Sequence, residues 1–535
     1  MRSPRRHLLK LAWSLCVLVL LGGIAAAQER GGTLTVALNY DLDTLDPYAS
    51  GFLTDVQATF LAGLVAPDHN AQYVPVLVTE VPTLENGGIV LTDDGTKMVV
   101  TYHLRPGLKW ADGAPLTSAD IKFTWDAIRD PAYLGPEKNG SAEIDSIETP
   151  DDLTAVVYYN TVFGGFKASL FTYGLLPKHV LEGKDLNKDP FWDAPFGAGP
   201  FMVTEFKRGQ YVVVERNPYY FEVDANGVQL PYLDSIVFKI IPDSNTQSTQ
   251  LKSGEVDFAY NVPFTVAPTL ENVAGLRVLR AETLGFRHIT FNLRNELLND
   301  LSVRKAFAHG VDRAAINKAL GGYMVPTNTF VVSIFPYSSD NVPSYEYNPE
   351  LARQILLDAG YAPDRDGIMA KDGKRLSFDI MTQAGRVEYE LAQQVVIAEM
   401  KAIGIELKTD NKSGAAYSQA RREGDFDVWY SGWITPADPI DSYISFYGTG
   451  GFNNGGAYSN PEVDAALNAA AASLDPVDVQ FYMGEAQNIV LTDLPAIPLF
   501  EAPSIIVMTE RLQGFESNPT NQTNFRHTSG WWLAK

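Results

Sequence analysis

The sequence predicts an α/β protein built from more than one domain, and three observations carry that expectation. At 535 residues the chain is well past the length at which a single core stops growing. Its composition, 45% hydrophobic and 20% charged, supplies ample core for two or three domains. Through the second half, helical periods alternate with short apolar strands at 376–381, 404–409, 427–431 and 497–500.

The N-terminus reads as an export signal. Arg2, Arg5, Arg6 and Lys10 precede an apolar run at 11–24 and then Ala25-Ala26-Ala27, so cleavage is expected before Gln28. The run is short for a membrane span. Arg5-Arg6 fits a twin-arginine signal as well as an ordinary one. Cys16, the one cysteine, lies inside the apolar run, which argues against lipid attachment and leaves the mature chain without thiol chemistry. An exported, extracytoplasmic protein is expected. Losing those four basic residues takes the formal charge from −22 to −26, a balance that disfavours nucleic acid and anionic lipid as partners.

In chain order, 32–39 alternates around Leu34, Val36 and Leu38 and reads as a strand, ending in Asn39-Tyr40-Asp41. A helix is expected over 55–64. Residues 98–104 form a strand, 105–107 a turn, 108–110 a short return strand and Asp112-Gly113 a second turn. Thr117 and Asp120 make a box-like helix start, with Ile121, Phe123, Trp125 and Ile128 mostly on one face of the helix that follows. Strands are also expected around 144–147, 154–159, 211–215, 236–241 and 286–292, and the strand after Gly254-Glu255-Val256-Asp257 leads to Tyr260-Asn261. Val303, Ala306, Phe307 and Val311 mark a helix that Asp312 separates from the next. Asn348-Pro349, Asn460-Pro461 and Asp475-Pro476 each place an N-cap before a proline at the first helical position. Residues 325–348, rich in Pro, Ser and Tyr, read as a long surface loop.

Chemistry is sparse. Asp364-Arg365-Asp366-Gly367 opens like a calcium loop, but its twelfth position is Arg375 instead of a bidentate glutamate. The histidines of the mature chain show no metal-ligand spacing, and no G-x-S-x-G, H-E-x-x-H or P-loop occurs. No cofactor and no enzyme are expected. The glycines of 196–201 read as a tight turn, and 448–456 (GTGGFNNGG) as a flexible loop with a weaker case for anion binding. The richest stretch is 428–439, VWYSGWITPADP. A strand ending in Gly432-Trp433 and an acidic, proline-rich loop put an aromatic plate and a carboxylate at a sheet edge, where α/β domains place ligands. The competing reading makes Trp433 core and Asp438 a turn former.

The segment 101–131 (TYHLRPGLKWADGAPLTSADIKFTWDAIRDP) resembles the "hairpin, W-x-DG-x-P-x-T-x-x-D, helix" segment of solute-binding proteins of peptide and nickel ABC importers, extracellular family 5. In register with it are 196–201 with Arg216-Asn217-Pro218-Tyr219-Tyr220, then 254–257, 301–313 and 428–439, across nearly the whole mature chain. The resemblance implies a type II periplasmic-binding-protein fold of the cluster C kind: two lobes, a cleft, and an extra domain inserted into the first lobe. The expected division is 28–58, 196–283 and 503–535 for lobe I, 59–195 for the inserted domain II and 284–502 for lobe III. It also implies a monomer that closes on a solute and delivers it to the transmembrane permease subunits of an importer. In peptide-binding members the loop reads "G-W-x-A-D-Y-x-D-P", and its first Asp pairs with the ligand's amino terminus. Here Asp438-Pro439 aligns with the second "D-P", leaving Thr435 or Pro436 at the amine position unless a gap restores Asp438 to it. The expected ligand contacts are Trp433, Asp438, Trp429, Tyr260, Asn261 and Tyr40. A peptide is the first expectation for the solute; an oligosaccharide stacked on Trp433, Trp429 and Tyr260 is the alternative.

Overall fold

The computed structural model describes residues 28, 30–49, 54–92, 94–135, 140–339, 342–520 and 524–535; the export signal expected at 1–27 lies outside them. Three larger sheets organise these residues. A seven-stranded sheet runs in the order Leu276–Ala281, Ser504–Thr509, Phe258–Ala259, Thr33–Leu38, Ser235–Ile240, Tyr211–Arg216, Phe201–Lys207. A six-stranded sheet runs Val325–Pro326, Ala496–Glu501, Gly285–Phe291, Val428–Ile434, Ser377–Gln383, Glu406–Lys412. A four-stranded antiparallel sheet, Ile89–Leu91, Met98–His103, Thr154–Tyr159, Ile144–Asp151, draws all its strands from 89–159. The chain passes from the seven-stranded to the six-stranded sheet through 282–284 and returns through 502–503.

Local chemistry explains most of these elements. Met98, Val100 and Tyr102 alternate onto one buried face. Thr117 and Asp120 do form a capping box, with the Thr117 amide donating to Asp120 Oδ2 at 2.9 Å, and they start the helix Ser118–Arg129. Its buried stripe is Ile121, Thr124 and Ile128, while Phe123 and Trp125 flank the stripe half-buried. Asn348, Asn460 and Asp475 all accept an amide of the first turn of their helices.

Four expectations need correction. Residues 108–110 are no return strand on 98–103, because both edges of that strand are already paired with Ile89–Leu91 and Thr154–Tyr159. They instead fold onto 114–116 through a single Lys109–Pro115 bridge. The first helix stops at Phe60, well before residue 64. There the Phe60 carbonyl accepts the Gly199 amide at 2.9 Å, and a side chain at Gly197 or Gly199 would collide with the Phe60–Leu61 backbone. The glycines of 196–201 thus serve close backbone approach. The segment after 325 is no surface loop: Phe330, Val331, Val332 and Phe335 are buried with Tyr443 and Tyr447, and Tyr443 Oη donates to the Phe330 carbonyl at 2.8 Å. The 448–456 loop is tied down, with the Thr449 amide on Asp464 Oδ1 at 2.7 Å and Asn454 Nδ2 on the carbonyls of Gly448 and Tyr458.

Among the described residues, the four-stranded and six-stranded parts touch through their backbones at Gly164. A Cβ on Gly164 would lie 2.9 Å from the Ala471 carbonyl oxygen and 3.0 Å from that of Ser473. Leu474 beside them packs into the apolar cluster of the four-stranded part.

Candidate functional site

The strand Val428–Ile434 lies inside the six-stranded sheet, antiparallel to Gly285–Phe291 with Phe286 opposite Trp433, His288 opposite Ser431 and Thr290 opposite Trp429. Alternation puts these six side chains on one face. Trp429 is only 2% exposed and its Nε1 donates to Tyr417 Oη at 3.1 Å, so its polar edge is satisfied within the core. Trp433 differs. Half-buried, it stacks on Phe446 at 4.5 Å and 21°, and the Arg421 guanidinium lies 4.9 Å from its ring centroid. Arg421 in turn donates to Asn453 Oδ1 at 2.5 Å, and burial lowers its basicity. Trp429, Trp433, Phe446, Tyr447, Asn453 and Asn454 are among the residues lining a small pocket. Behind Trp433, His288 is fully buried, its Nδ1 bonded to Thr290 Oγ1 at 2.8 Å. Burial, with Arg287 adding to it, pushes its pKa down to about 3, so the imidazole is neutral.

Past the strand, Thr435 is 2% exposed, and both its amide and its hydroxyl donate to the Leu284 carbonyl at 3.1 and 3.2 Å. It is fully engaged in holding the loop. Asp438 is half-buried, and among the described residues its carboxylate accepts only the Ile440 amide, at 3.4 Å. Burial raises its pKa, opposed by that bond and by Lys167. The charge of Asp438 acts on Tyr73, Tyr337 and Asp441. Asp441 is itself pushed up to about 6 by burial, by Asp438 and by Glu143. Tyr73 and Lys167 come from the four-stranded part, Tyr337 and Asp441 from the six-stranded one, and Arg526 reaches Tyr73 from the C-terminal segment. Asp438 therefore sits where separate parts of the molecule converge.

The remaining expected contacts form a second group. Tyr40 Oη donates to Asp55 Oδ2 at 3.0 Å, and Tyr260 Oη donates to the same oxygen. Burial pushes Asp55 up to about 6 although both tyrosines hold it down. Asn261, exposed and left-handed at φ 52°, exchanges hydrogen bonds with Ser504 at 3.2 and 2.9 Å. No hydrogen bond or ring contact among the described residues joins this group to Trp433 or Asp438. Of the calcium-like loop, Asp364 accepts the Asp366 and Ile368 amides and pairs with Arg375 at 2.9 Å.

The sequence reading missed Arg421, Lys167, Tyr73, Tyr337 and Arg287. Arg421 alone left a trace, closing a helix capped by Gly424 just before the strand that carries Trp433.

A mixed α/β molecule of two large sheets joined by two crossings, with a smaller sheet's part meeting the second at a group of aromatic and charged side chains, has the build of a solute-binding protein. The chain belongs to the bacterial extracellular solute-binding proteins, family 5: the model described as "Bacterial extracellular solute-binding proteins, family 5 Middle" matches residues 72–454. It is 30% identical over 498 residues to the oligopeptide-binding protein AppA of Bacillus subtilis, covering 90% of this chain and 88% of AppA. The solved structure of that protein in complex with a nonapeptide superposes with a TM-score of 0.75 at 27% identity, over 95% of this chain and 100% of AppA. NikZ from Campylobacter jejuni, solved in complex with Ni(L-His), gives a TM-score of 0.76 at 25% identity, over 94% and 99% of the two chains.

Proposed function

We propose that this chain is the solute-capturing component of an ABC importer and that its solute is a peptide. The lobes we assign are 28–58 with 196–283 and 503–535, and 284–502, with 59–195 as an additional domain on the first. A peptide bridges the lobes, favours the closed form, and is handed unchanged to the permease. The chain acts as an exported monomer and makes and breaks no covalent bond.

The observation that carries the peptide reading is Asp438: a half-buried carboxylate, with no cation within 4 Å among the described residues, at the meeting of several segments. Such a group suits the amino terminus of a peptide, and Thr435, tied to Leu284, is unsuited to that role. The likeness to an oligopeptide-binding relative over nine-tenths of the chain supports a peptide over an oligosaccharide. Trp433, flanked by Arg421 and Phe446, supplies an apolar plate, and Trp429 fixes it from behind.

Native mass spectrometry of the purified protein tests the class of solute: a ladder of peptide masses is expected, and hexose spacings would overturn it. With the peptide so identified, Asp438→Asn should weaken calorimetric affinity by about 1.5–3 kcal/mol, the worth of a charged hydrogen bond. Equal affinity would remove Asp438 from the site.

A further inference from the structure

Arg526 stands in the short helical stretch Asn524–Gly530 of the C-terminal segment. Its neighbour Phe525 anchors that stretch in the core of the seven-stranded sheet, 5.2 Å from Phe238 and 5.5 Å from Phe258, ring centre to ring centre. Arg526 itself is half-buried and reaches the inserted part of the chain, where one Nη donates to the Thr172 carbonyl. Its Nε is buried and, among the described residues, makes no hydrogen bond. Nor does any described carboxylate oxygen lie within 4 Å of the guanidinium. Besides burial, the groups that act on Arg526 are Tyr73, Tyr173 and Tyr48, and no carboxylate is among them. Burial pulls its pKa down to about 10, so it stays charged at neutral pH. A guanidinium carries five N–H donors, and one carbonyl satisfies a small part of that capacity. A cation taken partly out of water with no partner is costly to hold, which suits it to an anion that arrives.

A second set of contacts, made without Arg526, brings Tyr73 into the same frame. Tyr73 lies opposite Pro67 in the two-stranded ribbon formed by Val65–Pro67 and Tyr73–Pro75. Asn518 Nδ2, from the C-terminal segment, donates to the Pro67 carbonyl at 3.1 Å, and the Asn518 amide donates to Asn524 Oδ1 at 2.9 Å. The Leu64 amide donates to the Phe171 carbonyl at 2.9 Å, tying the ribbon to the turn that carries Thr172. Tyr73 is half-buried, and among the described residues its hydroxyl makes no hydrogen bond. The charges of Arg526 and of Asp438 both act on it. No hydrogen bond or ion pair among the described residues joins Arg526 to Asp438. Two opposite charges kept apart, with one hydroxyl near both, match a solute that carries its own two charges a few bonds apart. A peptide beginning with an acidic residue is such a solute: its ammonium and its side-chain carboxylate share one residue.

We propose that Arg526, with the Tyr73 hydroxyl beside it, takes the side-chain carboxylate of a peptide whose first residue is aspartate or glutamate. The inference rests on the peptide reading, in which Asp438 holds the amino terminus, and it adds a preference among peptides to that reading.

The test is calorimetry with two pentapeptides, aspartate followed by four alanines and asparagine followed by four alanines. They share shape and C-terminus and differ by one charge. The wild type should bind the aspartate peptide about tenfold more tightly, the scale of one charged hydrogen bond. Arg280→Gln, which alters an exposed arginine on the edge strand Leu276–Ala281, should keep that preference. Arg526→Gln should bind both peptides alike, at the wild-type affinity for the asparagine peptide, and Arg526→Lys should recover part of the preference. Tyr73→Phe should narrow it. Because the deleted hydroxyl bonds to nothing, the packing stays intact, and this variant reads the site even where Arg526→Gln fails to fold. Equal affinity of the wild type for the two peptides would overturn the inference and leave the peptide reading standing. An equal loss for both peptides in Arg526→Gln would also overturn it, as the mark of a residue that merely braces Thr172. Binding of neither peptide would overturn the peptide reading, and this inference with it.

Discussion

The seven-stranded and six-stranded sheets each carry a polar cluster, and the two are built on opposite principles. On the first, Tyr40 and Tyr260 both donate to Asp55, a closed group that satisfies itself. On the second, Trp433 carries an arginine on its face, and among the described residues Asp438 has no cation within 4 Å. A satisfied cluster stabilises its own lobe; an unsatisfied one is completed by something that arrives. Residue type alone does not separate the two, since both are aromatic and acidic. What separates them is the count of partners.

One buried group beside each sheet, His288 in the six-stranded one and Asp55 next to the seven-stranded one, should respond to pH with opposite sign, and this is the largest expected effect. His288 is depressed to about 3 from an ordinary 6.5, so its contribution to stability is present above pH 6.5 and is lost as pH falls toward 3. By pH 4 the loss reaches roughly 3 kcal/mol, at 1.4 kcal/mol per unit. Asp55 is raised to about 6 from 3.8, so its contribution is present below pH 3.8 and is lost as pH rises through 6, again by roughly 3 kcal/mol. Urea unfolding of His288→Gln and Asp55→Asn from pH 4 to pH 7 should show each variant lacking one of these slopes. Parallel curves would erase the contrast.

Next in size, Trp433→Ala should weaken solute binding by about 2 kcal/mol in calorimetry, as expected for a central aromatic anchor. An unchanged affinity would make Trp433 core. Smallest, Tyr260→Phe should cost about 1 kcal/mol of stability for its lost bond to Asp55 and leave affinity untouched. A loss of affinity instead would move the first cluster into the binding site.

Legibility in the sequence followed the range of the interactions. Capping boxes and Asn-Pro helix starts are settled within four residues, and Thr117, Asn348 and Asp475 were readable for that reason. Trp429 and Trp433 stand on the same face of the same strand, yet only the distant Tyr417 hydroxyl shows that Trp429 is committed inward. Similarly, the end of the first helix depends on Gly197 and Gly199, and the burial of Phe330 on Tyr443, partners more than a hundred residues away.

The contact of Gly164 with the Ala471 and Ser473 carbonyls sets a limit of another kind. Main chain meets main chain there, so at this point no layer of side chains cushions the approach of the two parts. The aperture left for cargo is then a property of the frame. A family line could change its cargo many times over and still present an identical shut profile to the machinery that unloads it.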